Sequence, residues 1–148
     1  GYDPGRDYRY IETNRHLRRL HPEAMAQMIS DIKDIGGLVQ HDHVTDLLTI
    51  NQEFSVSLII ARHRETLTGS SRWLIRLDTG LRPDISIVAR MSPGNGAIQD
   101  YYLLPAILFD QKPLRMEDAN CAFLDAFRFE DLSPLFMLVR RVPLREAA

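Results

Sequence analysis

Two carboxylates and one of only two lysines fall where metal-assisted hydrolysis of a phosphodiester would use them. The stretch LRPDISIVARM, residues 81–91, contains Pro83 and Asp84. Residues 85–109 then separate Asp84 from the triplet Asp110, Gln111 and Lys112. Two converging carboxylates can hold a divalent cation, and a nearby ammonium can position or activate the water that attacks phosphorus. That chemistry requires both acids at one end of one sheet.

The pattern resembles the PD-(D/E)xK type of metal-dependent nuclease, in which an Asp on one strand is followed by an acidic-x-Lys triplet at the end of the next. The resemblance implies a DNA-processing domain with Asp84, Asp110 and Lys112 as its catalytic set. Local chemistry favours a plainer role. Pro83 and Asp84 complete the connection DTGLRPD, where both residue types suit turn geometry, and Asp110–Pro113 has the composition of a turn leaving a strand. Short motifs of this kind recur by chance. The expectation is therefore a turn feeding a core strand, with no metal and no cofactor assigned.

Other reactive residues are scattered. His41 and His43 would share one face of an extended segment, a spacing used by metals, but two ligands do not make a site. Ser70 and Ser71 lie in TGSSR, without the strained turn that exposes a nucleophilic serine. Cys121, the single cysteine, excludes an internal disulfide and reads as a small apolar residue between Asn120 and Ala122. SPGNG lacks the lysine and following helix of a phosphate loop.

Arginine is the remaining chemical signal. Of eighteen basic side chains, all but Lys33 and Lys112 are arginine, and the net charge is −2, so no global field draws the chain to a polyanion. Arg6, Arg9, Arg15, Arg18 and Arg19 nevertheless crowd the first residues, interleaved with Tyr2, Tyr8 and Tyr10. A flexible, basic and aromatic arm over residues 1–19 can contact phosphates and stack on bases. Pairing with Asp3, Asp7 and Glu12 is the simpler fate of these cations. Arg72, Arg76 and Arg90 form a second set, expected on the polar face of the central sheet.

These residues need elements to place them. Pro22, Glu23 and the stripe Met25, Met28, Ile29, Ile32 and Ile35 predict an amphipathic helix stopped by Gly36 and Gly37. LVQHDHVTDLLTIN predicts two short strands around a turn. QEFSVSLIIARHRETL, capped by Asn51 and stopped by Gly69, is expected to be a second, widely buried helix. RWLIRLD, ISIVARM and YYLLPAILF, joined by short turn-rich segments, predict a three-stranded antiparallel meander over residues 72–109. Pro105 argues for an edge or a bulge in its third strand. CAFLDAFRF is a weak strand candidate. LSPLFMLVRRVP predicts a final helix opened by Ser133 and Pro134, striped by Leu135, Leu138 and Val139, and stopped by Pro143.

The sum is a single α+β domain over residues 20–148 behind the basic arm of residues 1–19, with an antiparallel sheet of about five strands on two or three helices. This succession, across roughly residues 20–140, resembles the profilin-like group of folds, which includes roadblock, PAS and GAF-type sensor and scaffold domains. The resemblance lies in element order and has no motif behind it, and fold alone does not license function. No apolar run reaches membrane-spanning length, and with one cysteine the expected compartment is the cytoplasm. The leading expectation is a non-catalytic protein-interaction or regulatory module of a larger intracellular protein, binding a protein partner or its own copy. A PD-(D/E)xK nuclease and an Arg-rich nucleic-acid binder are the alternatives.

Overall fold

The stripe of Met25, Met28, Ile29 and Ile32 produces the helix that it predicts. A computed structural model of the chain describes residues 14–42, 47–65, 67–75, 83–94, 96–105, 114–117 and 122–141. Within it a short helix α1 (Asn14–Leu20) turns at His21 into α2 (Pro22–Asp34), with Pro22 in the first turn and Glu23 at the positive end of the dipole. Met28 and Ile32 are fully buried, while Met25, Ile29 and Ile35 flank the same core. Gly36, at φ +97°, supplies the left-handed residue that ends α2. Gly37 then sends its N–H to the Ile32 carbonyl at 2.9 Å.

The next two strands also form as expected. β1 (Val39–Asp42) and β2 (Leu47–Ile50) pair antiparallel. Asn51 does not cap a helix. It adopts φ 56°, a left-handed conformation that Asn tolerates, and turns the chain into β3 (Phe54–Ala61), antiparallel to β2. The helix expected over residues 51–69 is thus a strand, followed by β4 (His63–Glu65). The physical reason lies in burial. Every residue of FSVSLIIA except Ser55 is buried, so no polar stripe marks either period. Its length of 8 residues and its branched side chains favour the strand.

β3 owes that burial to its other neighbour. After β5 (Ser71–Ile75), the strand β6 (Ile85–Met91) lies parallel to β3, with Val56 beside Ile85 and Ile60 beside Ala89. β7 (Ile98–Pro105) returns antiparallel to β6 across the SPGNG turn, as the turn composition requires. β5 does not join them. It pairs with β4 and with β8 (Leu114–Glu117) in a separate three-stranded sheet. The expected meander over 72–109 is therefore correct for β6 and β7 and wrong for β5. The main sheet has six strands rather than five, in the order β1-β2-β3-β6-β7-β9. Pro105 is the last residue of β7, opposite Ile85, and residues 106–109 of the expected strand lie outside the described residues.

The tail departs from expectation in one element. CAFLDAFRF yields a short helix α3 (Ala122–Asp125), and only β9 (Arg128–Phe129) pairs with β7. The final helix α4 (Leu135–Arg141) forms as predicted. Asp131 Oδ1 accepts hydrogen bonds from the Ser133 hydroxyl at 2.6 Å and the Ser133 N–H at 2.9 Å, which holds its carboxyl below the usual range and organises the entry to α4. The Pro143 stop lies outside the described residues.

The result is a mixed α+β fold with three layers. One face of the six-stranded sheet presents Val56, Leu58, Ile85, Ile87 and Leu103 to Met28, Ile32, Leu132 and Leu135. The opposite face presents Ile59, Val88, Tyr102 and Leu104 to Trp73 and Ile75 of the second sheet and to Leu124. The profilin-like succession read from the sequence is not the one observed, because β3 and β4 occupy the place of its second helix. None of the described helices is long and apolar enough to cross a membrane.

Candidate functional site

Among the described residues, basic side chains converge on a concave surface. α1 projects Arg15, Arg18 and Arg19, and α2 adds Lys33 from its last turn. His41 comes from β1. Together they rim a cleft of about 560 Å³ whose floor is aliphatic: Met25, Ile29, Val39, Leu48 and Leu58. Arg15, Arg19, Lys33 and His41 are exposed, whereas Arg18 is partly buried and donates through one terminal nitrogen to the Leu58 carbonyl at 3.0 Å. Leu58 lies two residues past Val56, where the β2–β3 ladder stops at Leu48, so Arg18 seals α1 onto β3 beyond the end of that ladder. Arg18, Arg19 and Lys33 all sit in last helical turns, where cations oppose the helix dipole. Of the basic lead-in expected over residues 1–19, Arg15, Arg18 and Arg19 therefore belong to an ordered helix; Arg6 and Arg9 lie outside the described residues.

Asp84 closes the start of a parallel strand pair. It stands at the mouth of the parallel β3–β6 pair, and its Oδ2 accepts the Ser55 N–H at 2.8 Å and the Ser55 hydroxyl at 3.3 Å. In return its N–H donates to the Ser55 carbonyl at 2.9 Å. This reciprocal clasp fixes the start of the parallel ladder. Asp110 and Lys112 lie outside the described residues. Among the described residues no three His, Cys, Asp or Glu side chains converge as a metal site. His41 is one side of the expected HDH pair; His43 lies outside the described residues, as do Cys121 and Arg76.

One serine meets a histidine at the spacing of a nucleophile and its base. Ser71 Oγ and His63 Nε2 are 2.8 Å apart on neighbouring strands of the second sheet. The imidazole lies edge-on to Trp73, with ring centroids 5.2 Å apart, and the pair lines neither of the two clefts described here. Its geometry serves the β4–β5 hairpin.

Arg90 also departs from expectation. It is buried rather than displayed on a basic platform, and Nε donates to Asp100 Oδ1 at 2.8 Å while a terminal nitrogen donates to Oδ2. Its guanidinium stacks 4.7 Å from the centre of the Trp73 ring and 5.5 Å from that of Tyr102. Trp73 Nε1 is tied to the Met91 carbonyl at 3.0 Å. Arg72 belongs to the second sheet. The hairpin itself carried the missed signal, since Arg90 and Asp100 are register partners around SPGNG.

On the far flank of α2, a smaller cleft of about 410 Å³ has the opposite sign, with Glu23, Gln27, Asp31 and Glu130 beside Tyr101. The Tyr101 hydroxyl donates to Asp31 Oδ2 at 2.7 Å. Burial, then that hydrogen bond and the carboxylate's charge, push the phenol well above its ordinary range. α2 thus separates a basic, aliphatic cleft from an acidic, polar one.

No protein-family model, no curated protein and no solved structure matches the chain.

Proposed function

We propose that the chain is a non-catalytic interaction module that docks an acidic, partly aliphatic segment of another protein in the cleft between α1, α2 and β1. The observation that carries this is the pairing of a cationic rim (Arg15, Arg19 and Lys33, beside His41) with a floor of Met25, Ile29, Val39, Leu48 and Leu58. A floor of this kind takes aliphatic side chains, and the rim takes carboxylates. Nucleic acid is served less well, because no Phe, Tyr or Trp is among the described residues that line the cleft, and the imidazole of His41 is the one ring there on which a base could stack. The net charge of −2 adds no long-range attraction for a polyanion.

The test is fluorescence anisotropy of a labelled peptide that mixes glutamate with valine, titrated with the full chain. Reversing three exposed charges, Arg15→Glu, Arg19→Glu and Lys33→Glu together, should weaken binding at least about tenfold, taking roughly 0.5 kcal/mol for each exposed pair. Raising the salt should weaken it as well. Unchanged affinity in the triple variant, or tighter binding of single-stranded oligonucleotide than of the peptide, rejects the proposal.

A further inference from the structure

Fixed charge in the basic cleft has one sign. Arg15, Arg18, Arg19 and Lys33 line it, and no Asp or Glu is among its described lining residues. Arg18 is committed to the Leu58 carbonyl, and that bond, with Leu17 buried on the same helix, holds α1 against the sheet. Arg15 and Arg19 stand one turn apart on one face of α1, separated by about 6 Å along its axis. Both are exposed, and Lys33, also exposed, reaches the same cleft from α2. A carboxylate brings a single charge and one planar pair of oxygens to such a rim. A phosphate monoester brings three acceptor oxygens and about −1.5 to −2 charges. It can accept from two guanidinium forks at once and offset more of the rim.

The geometry points to a phosphorylated partner: the docked segment arrives carrying a phosphoserine or phosphothreonine beside aliphatic residues, and the forks of Arg15 and Arg19 take its phosphate; this rests on the docking role proposed above. Recognition of phosphate by clustered arginines is a recurring mode of peptide binding. A short seryl or threonyl stem keeps the phosphate near the segment's backbone. Neighbouring valine, leucine or isoleucine side chains can then reach Met25, Ile29 and Val39, which are only half-buried against the core. Lys33 meets the remaining phosphate oxygen or a nearby carboxylate as a point charge on a flexible stem. Because α1 is already held by Leu17 and Arg18, little ordering of the helix is needed when the segment binds. A bilayer carries the same phosphate chemistry, but as a broad plane that meets poorly a concave site with its aliphatic residues at the bottom.

The experiment titrates the full chain into three labelled, end-blocked peptides that share one sequence of valine, leucine and glutamate. They differ only at a central position, which is phosphothreonine, threonine or glutamate. The phosphopeptide should bind at least about tenfold more tightly than the threonine peptide and at least about fivefold more tightly than the glutamate peptide. The variant Arg15→Lys, Arg19→Lys keeps the charge and removes the forks. It should lose at least about fivefold in affinity for the phosphopeptide while holding the glutamate peptide within about twofold. Equal binding of the phosphopeptide and the glutamate peptide, with the Arg15→Glu, Arg19→Glu, Lys33→Glu variant still failing to bind either, overturns phosphate recognition and leaves the docking cleft standing. A double lysine variant that keeps the full phosphate preference overturns the role of the two forks. Absence of binding by every peptide overturns both proposals, as does tighter binding of vesicles containing an anionic phospholipid than of the phosphopeptide, which assigns the cleft to a membrane surface.

Discussion

Arg90 and Asp100 face each other across the β6–β7 hairpin, both side chains buried, with Nε 2.8 Å from Oδ1. Arg128 lends a second, more distant cation to the same carboxylate at 3.6 Å. Such a pair is costly to desolvate and costlier to break. Asp100→Ala strands the Arg90 guanidinium between Trp73 and Tyr102 and should lower stability by about 3–5 kcal/mol. Replacing both partners by apolar residues, Arg90→Met with Asp100→Leu, should restore most of that loss. Urea unfolding of the three proteins measures it, and a loss under about 1 kcal/mol in Asp100→Ala would contradict a buried, coupled pair.

Tyr101 and Asp31 make alkaline pH informative. The folded state holds the phenolic proton more tightly than the unfolded chain does. That contribution is fully present below the free tyrosine value of about 10. It is lost as pH rises from there through the higher folded value. Tyr101→Phe should therefore flatten the fall in stability above about pH 10 relative to the parent chain. Thermal melts across that range report it, and parallel curves for the two proteins would refute the assignment.

The Ser55–Asp84 clasp predicts a stability defect when its carboxylate is removed. Asp84→Ala leaves the Ser55 N–H without its acceptor and should cost about 1–3 kcal/mol. Adding Ser55→Ala should cost little more, since the two residues act together. A double-mutant cycle by chemical denaturation checks this. Additive losses would mean that the two side chains stabilise the fold separately.

Gly37 tests how closely the chain passes α2. A Cβ at this position would lie 2.6 Å from Ile32 Cγ2 and 2.8 Å from the Ile32 carbonyl oxygen. Because Ile32 is fully buried, it has little room to retreat. Gly37→Ala should cost about 1–3 kcal/mol through overpacking. Gly36→Ala should cost about 1–2 kcal/mol for a different reason, its positive φ with open space around it. Ile32→Val removes only Cδ1 and leaves both Cγ2 and the carbonyl in place, so it should rescue neither substitution; chemical denaturation of the single and double variants measures this.

Much of the fold could be read from local patterns. Pro22 and the Met25–Ile32 stripe marked α2, the strands around HDHVTD formed, and SPGNG joined β6 to β7. What failed was non-local. FSVSLIIA is apolar on both faces because α2 covers one and the second sheet covers the other, so its pattern could not separate strand from helix. Short connections limit how consecutive strands pair only when they share a sheet, and β5 and β6 do not. Arg15, Arg18 and Arg19 stood out as a basic cluster, but their meeting with Lys33 and His41 depends on how α1 packs against β3. The motif that drew attention first, around Asp84, turned on a serine 29 positions earlier that no spacing rule names.

The parallel contact of β3 with β6 also governs how the molecule assembles. β1 with β2 and β6 with β7 are neighbours in sequence and can zip over short connections. Ser55 and Asp84 must find each other across the intervening chain, which includes two strands of a different sheet. The entropy of closing that span is paid before its contacts form. Refolding speed should therefore respond to Val56 and Ile85, which abut at the closure, more than to Leu48 or Leu103, making this join the kinetic bottleneck of an otherwise quickly formed architecture.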